Sequence, residues 1–174
     1  MKILTYRLIL IVFIALTFGF ILFNSTRTGE QSAKMSQGVT ETIAQIVVPD
    51  FDNLKEPTKT QTVNKVHVAV RNLAHALEFA ALAFFVVLLL STFKFNYGRY
   101  LMPSVLALFI CFTVAVCDEF LQGLISGRAS DMADVLMDTL GIIVAILCAM
   151  VVDFVAIKFI TKNNKKKRGE KDYV

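Results

Sequence analysis

The sequence predicts an all-α protein, an integral membrane bundle of four transmembrane helices with an amphipathic outer-surface helix in the first loop. Three observations lead there. Hydrophobic residues make up 56% of the chain and the mean hydropathy is +0.63, too apolar for a water-soluble globule. These residues gather in four blocks, 3–23, 68–92, 100–125 and 134–160, and an apolar helix of about 20 residues spans the ~30 Å hydrocarbon core. The basic residues fall between and beyond those blocks in an alternating pattern: Lys2 and Arg7 at the start, Lys94 and Arg99 between the second and third, and Lys162 to Arg168 after the fourth. Cytoplasmic loops carry the excess of Lys and Arg, so both termini are expected in the cytoplasm.

The first block has a basic start, like a secretory signal. Its apolar run is long, and Asn24-Ser25-Thr26-Arg27 after it offers no small-x-small cleavage site, so it reads as a retained helix. The outer connection 24–66 follows. Within it Met35, Val39, Ile43, Ile46 and Val47 recur at helical spacing before Pro49, the pattern of a short amphipathic helix lying on the membrane surface or capping the bundle. Residues 51–62 are polar and irregular and read as a plain loop. The inner connection 93–99 and the outer turn 126–130 are short, so the last three helices are expected as antiparallel neighbours. On the fourth, Gly141 and Ala145 would permit close helix approach. Residues 161–174 form a basic cytoplasmic tail, read as a topology signal that meets lipid headgroups rather than nucleic acid. Cys111, Cys117 and Cys148 lie inside apolar blocks without CxxC or zinc spacing and read as small hydrophobes.

Ionisable residues occur where a bilayer should forbid them. Charge at the centre of a membrane helix costs about 2.5–3.5 kcal/mol per residue on insertion scales, and such residues pair with one another or line a polar cavity. In the second block His67, Arg71, His75 and Glu78 stand four, four and three apart, one stripe on one helix face. Asp118, Glu119 and Gln122 lie near the end of the third block, while Asp131, Asp134 and Asp138 open the fourth. With the topology above, all three clusters meet at one depth in the outer leaflet. Arg71 and Arg128 are placed to balance the acids. A purely structural polar core is the competing reading, and His67 and Asp131 are expected as surface and interfacial charges.

Four ordered segments together resemble the VanZ-like membrane proteins: Arg71-Asn-Leu-Ala-His75-Ala-Leu-Glu78-Phe-Ala-Ala-Leu, Asp118-Glu119-Phe-Leu-Gln122, Gly127-Arg128-Ala-Ser and Asp134-Val-Leu-Met-Asp138-Thr-Leu-Gly141. Asn24-Ser25-Thr26, with Ser32 and Ser36 after it, is similar to that family's serine-bearing stretch. Two positions depart from the pattern. Leu121 stands where the family commonly has His, and Ser126-Gly127 where it commonly has Pro-Gly.

The resemblance implies a bacterial plasma-membrane protein acting at the outer face. Its name-giving members are associated with resistance to teicoplanin-type lipoglycopeptides. The expected partner is a membrane lipid or lipid-linked envelope component, or the lipoglycopeptide antibiotic itself, and the sequence carries no signal of oligomeric state. Arg71, His75, Glu78, Asp118, Glu119, Gln122, Arg128, Asp134 and Asp138 form the expected ligand-binding set. Arg71 and Arg128 would hold an anionic group, for which a planar fork of donors is suited. The alternative is an intramembrane hydrolase or transferase on a lipid-linked substrate, with His75, Glu78, Asp118 and Glu119 as catalytic candidates and His75 as general base. No HExxH or two-histidine arrangement is present, so neither metal nor other cofactor is expected. A channel or transporter ranks last, because nothing ionisable follows Glu78 on its helix before Lys94.

Overall fold

The computed structural model describes residues 3–95, 100–128 and 130–169, and among these residues it has five α-helices and one short 3-10 turn. They are α1 (Ile3–Ser25), α2 (Gly29–Val47), the turn Phe51–Asn53, α3 (Thr58–Leu90), α4 (Leu101–Gly123) and α5 (Met132–Gly169). Four of them are long and apolar enough to cross a membrane: α1, α3, α4 and, in α5, Met132–Ala156. Among the described residues there is no β-strand. Helices satisfy every interior backbone group within themselves, which lipid demands. Lys2 and Arg99 lie outside the described residues, as do the side chains of the 162–168 basic block.

The first connection differs from the sequence expectation. Thr28 opens α2 with a capping box: its hydroxyl accepts the Gln31 N–H at 3.3 Å, and the Gln31 side chain accepts the Thr28 N–H at 3.2 Å. The helix then runs through Gly38 to Val47, where Pro49 disfavours helical geometry for the residue before it. Met35, Val39, Ile46 and Val47 are exposed on it, whereas Thr40 and Ala44 are buried. Residues 58–62 are not a plain loop. They begin α3, whose first turn is capped by Glu56 accepting from the Thr60 hydroxyl at 2.5 Å and its N–H at 3.4 Å. At 1.5 Å per residue the 33 residues of α3 extend about 50 Å, well beyond a ~30 Å hydrocarbon core. Helix α2 packs against α3, with the Ser36 hydroxyl 2.8 Å from His67 in the extension 58–67.

Helix α3 is the hub, with α1, α2, α4 and α5 all packed on it. Its most extensive partner is α5, and the two run parallel, since Arg71 meets Asp134 and Ala76 meets Gly141. Helices α3 and α4, and α4 and α5, are the expected antiparallel neighbours, and the same alternation starts α3 and α5 at one end of the bundle. A Cβ at Gly141 would overlap the backbone of Ala76, so this glycine sets the helix separation. Lipid is as apolar as a leucine side chain, so helices in it associate through packing and polar ties. The core follows that rule, with Ala107, Cys111 and Ala115 four apart on α4 and Ala145 and Ala149 on α5, all buried against Phe79, Leu82 and Ala83 of α3.

Polar ties hold both ends of the bundle. At one end Arg7 donates to the Thr92 hydroxyl at 2.9 Å and the Thr92 carbonyl at 2.8 Å. At the other, the Gly29 N–H donates to the Ser126 carbonyl at 3.2 Å, joining the start of α2 to the α4–α5 turn. Gly127 in that turn has φ 77°, a left-handed conformation that glycine adopts without a Cβ penalty.

Candidate functional site

The end of the bundle where α1 and α4 finish and α5 begins holds a cavity of about 180 Å³. Five elements build its wall. Asn24 comes from the end of α1, Arg27 from the α1–α2 connection, and Ser32, Met35 and Ser36 from α2. Helix α3 supplies Val70, Arg71, Ala74, His75 and Glu78, and the α4–α5 turn supplies Arg128. The spacing of Arg71, His75 and Glu78 puts them on one helix face, and that face is the one turned to the cavity. The fourth member of the stripe, His67, instead meets Ser36: its Nε2 lies 2.8 Å from the hydroxyl.

Three guanidinium groups thus face one small space, against a single lining carboxylate. Their partners leave part of each unpaired. Arg71 donates Nη2 to Asp134 Oδ2 at 2.9 Å, and Arg128 donates Nη2 to the Asn24 carbonyl at 3.1 Å. Arg27 stacks over the Phe23 ring at 4.2 Å. Arg27 Nε, Arg71 Nε, and Arg128 Nε and Nη1 are buried with no hydrogen-bond partner among the described residues. Buried polar groups are nearly always paired, and an unpaired donor costs about 1–3 kcal/mol. These four donors belong to the three arginines that line the cavity, and an acceptor that reached them would be stabilised. Burial first, and the neighbouring Arg71 charge second, push the Arg128 guanidinium down from its ordinary value, with Asp118, Glu119 and Glu78 opposing.

The remaining sequence candidates cluster at the same end without lining the cavity. Asp118 is buried and accepts from the Ser25 hydroxyl and, at 2.6 Å, from the Gln122 amide. Glu119 accepts the Asp131 backbone N–H at 2.6 Å. Asp131 is exposed and caps the start of α5, its side chain accepting the Ala133 N–H at 2.9 Å. Asp134 is engaged by Arg71, and Asp138 is buried with Oδ1 unpaired. Asp138 lies within electrostatic reach of Glu78, Asp118, Glu119 and Asp134. So Arg71, His75, Glu78 and Arg128 face the cavity, while around it Asp118 ties α4 to α1, Glu119 ties α4 to the residue before α5 and Asp134 ties α5 to α3, with Gln122 bonded to Asp118 on its own helix and Asp138 buried beside them.

Glu78 belongs to both groups. Its Oε1 accepts from the Asn24 amide at 2.8 Å, and its buried Oε2 has no partner among the described residues. His75 Nδ1 is likewise buried and unpaired. Among the described residues no group of three or more His, Cys, Asp or Glu side chains is placed to hold a metal ion.

Sequence reasoning missed Arg27. It sits in a connection, where no helical period places it on a face. Its signal is position alone: the first charge after the first apolar block, at the end where the other polar clusters meet. Ser32 and Ser36, noted only through resemblance, also line the cavity.

Comparison with known proteins gives one match. No curated protein and no solved structure matches the chain. The family model for VanZ/LLP1 matches residues 10–153, from the first third of α1 into α5, and so covers every element that lines the cavity. Four membrane-crossing helices around a shared polar cluster, matched over that span, make this chain a multi-pass membrane protein belonging to the VanZ/LLP1 family.

Proposed function

We propose that this protein binds the anionic group of a cell-envelope lipid, or of a lipid-linked envelope component, at the outer face of a bacterial plasma membrane, with both termini in the cytoplasm. The observation that carries the reading is the cavity lined by Arg27, Arg71 and Arg128 with four unpaired buried guanidinium N–H groups. Guanidinium donors match the oxygens of phosphate and carboxylate. The neighbouring Glu78 Oε2 and His75 Nδ1 would meet hydroxyl or amine groups on the same ligand.

Size narrows the ligand. Pockets for drug-sized molecules run to about 300–1,000 Å³, and 180 Å³ suits a phosphate-sized head rather than a whole glycopeptide. Protection against a teicoplanin-type antibiotic would then act through the envelope lipid or through an anionic group of the drug. The enzymatic alternative has less behind it. His75 Nδ1 has no described partner, and Asp118 and Glu119 are engaged away from the cavity.

The test uses purified protein from neutral detergent, with retention of phosphatidic acid and phosphatidylcholine measured by native mass spectrometry. Arg128→Ala is expected to lower phosphatidic acid retention at least tenfold and, in cells, to abolish teicoplanin protection at equal membrane abundance. Wild-type retention in that variant would refute the binding site.

A further inference from the structure

A second concavity adjoins the first. It is a groove of about 360 Å³ between α1 and α3, walled by Leu16, Thr17, Phe20, Leu77 and Ala81, and it shares one residue, Glu78, with the arginine cavity. Its walls lie one to two turns closer to the middle of the bundle than Asn24 and Ala74. Leu16, Phe20 and Leu77 are 63%, 54% and 61% exposed, so the groove opens sideways to what surrounds the helices, not to the end of the bundle. A charged head space and an apolar trough that meet at one side chain have the polarity order of a lipid.

Building on the anion-binding reading above, we infer that the α1–α3 groove seats the hydrocarbon chain of the same lipid whose phosphate-type head occupies the arginine cavity. The ligand is then an anionic lipid that enters laterally from the bilayer across the α1–α3 seam. Continuity supplies the argument. Glu78 is pinned by Asn24 of α1 at 2.8 Å, so the head site and the groove share a wall made by the same two helices. Thr17 does not break the apolar character, because its hydroxyl is returned to the carbonyls of Phe13 and Ile14. In a bilayer the groove cannot gain from hydrophobic transfer, since free chains are already in hydrocarbon. Its contribution is selection, because a chain tethered to a bound head occupies the groove at an effective concentration that bulk lipid does not match.

The full-length protein is reconstituted in phosphatidylcholine vesicles with a trace of phosphatidic acid carrying a diazirine in its acyl chain near the head, then illuminated and mapped. Labelling is expected to concentrate on residues 16–20 and 77–81, to be competed by excess phosphatidic acid but not by further phosphatidylcholine or equimolar inorganic phosphate, and to vanish in Arg128→Ala. Ala81→Trp, which fills the groove, is expected to cut the competed label at least fivefold. Label spread over lipid-facing α4 side chains such as Phe109 and Phe120, whatever the competitor, would overturn the groove while leaving the head site standing if phosphatidic acid retention still depends on Arg128. Inorganic phosphate competing as well as the lipid would overturn the chain's role. Loss of any Arg128-dependent retention would overturn the groove and the anion site together.

Discussion

Replacing Gly141 by alanine tests the geometry that brings the site together. A Cβ there would overlap the carbonyl oxygen of Ala76, and its carbon and Cα are close behind, so backbone rather than a movable side chain blocks it. Overpacking costs typically 1–3 kcal/mol, and a backbone obstacle belongs at the upper end, about 3 kcal/mol. Alanine's better helix propensity returns about 1 kcal/mol, leaving a net loss of about 2 kcal/mol. For a chain of this length that is a fall in Tm of roughly 4–8 °C. The separation also reaches the site. Gly141 is seven residues from Asp134 and Ala76 five from Arg71, about 10 Å and about 7.5 Å along their helices, so α3 and α5 moving apart stretches the 2.9 Å Arg71–Asp134 pair. Thermal unfolding in detergent and phosphatidic acid retention are the assays, and both are expected to fall. Because the obstacle is backbone, adding Ala76→Gly should restore neither. An unchanged Tm in Gly141→Ala, or rescue by Ala76→Gly, would show that the close approach does not control the packing.

Two further outcomes follow from the polar ties. Arg71→Ala leaves Asp134 buried without its cation and is expected to destabilise by about 3 kcal/mol, whereas the double change Arg71→Met with Asp134→Leu comes closer to wild type; denaturation midpoints of the three proteins decide it. Arg27→Ala loses only a ring contact, about 0.5–1 kcal/mol, so it should fold almost normally yet retain anionic lipid at least fivefold less, and equal retention would remove Arg27 from the site.

Much of this was legible from residue patterns, for physical reasons. Lipid forces long apolar helices, so the four crossings stood out as composition, and the spacing of Arg71, His75 and Glu78 survives as a face because an α-helix turns through a fixed angle per residue. The convergence of Asp118, Glu119, Asp134 and Asp138 followed once the helices alternated in direction. Four things did not follow. The start of α3 at Thr58 was hidden because eight of its first ten residues are polar, and the packing of α2 against α3 is recorded by no local pattern. Which carboxylates face the cavity depends on rotations about the helix axes: Asp118 and Glu119 are adjacent, yet both are buried, one towards Ser25 and one towards the α5 cap. Arg27 was missed because a loop residue has no period. That α3 packs directly on α5 was hidden too, because short connections constrain only consecutive helices.

The hydrogen bond from Gly29 to Ser126 bears on how strongly the arginines can hold anything. Arg27 and Arg128 both sit on connections, and each long side chain brought to order by a ligand costs about 0.5–1.5 kcal/mol of the affinity. Here the two connections are fastened to one another two residues from Arg27 and two from Arg128, and a Cβ at Gly29 would strike the Gly127 carbonyl, so the two backbones are in contact. Phe23 holds the Arg27 guanidinium from one side, and the Asn24 carbonyl holds that of Arg128. Much of the ordering is therefore complete before a ligand arrives, and two arginines on separate loops meet it as a preorganised pair.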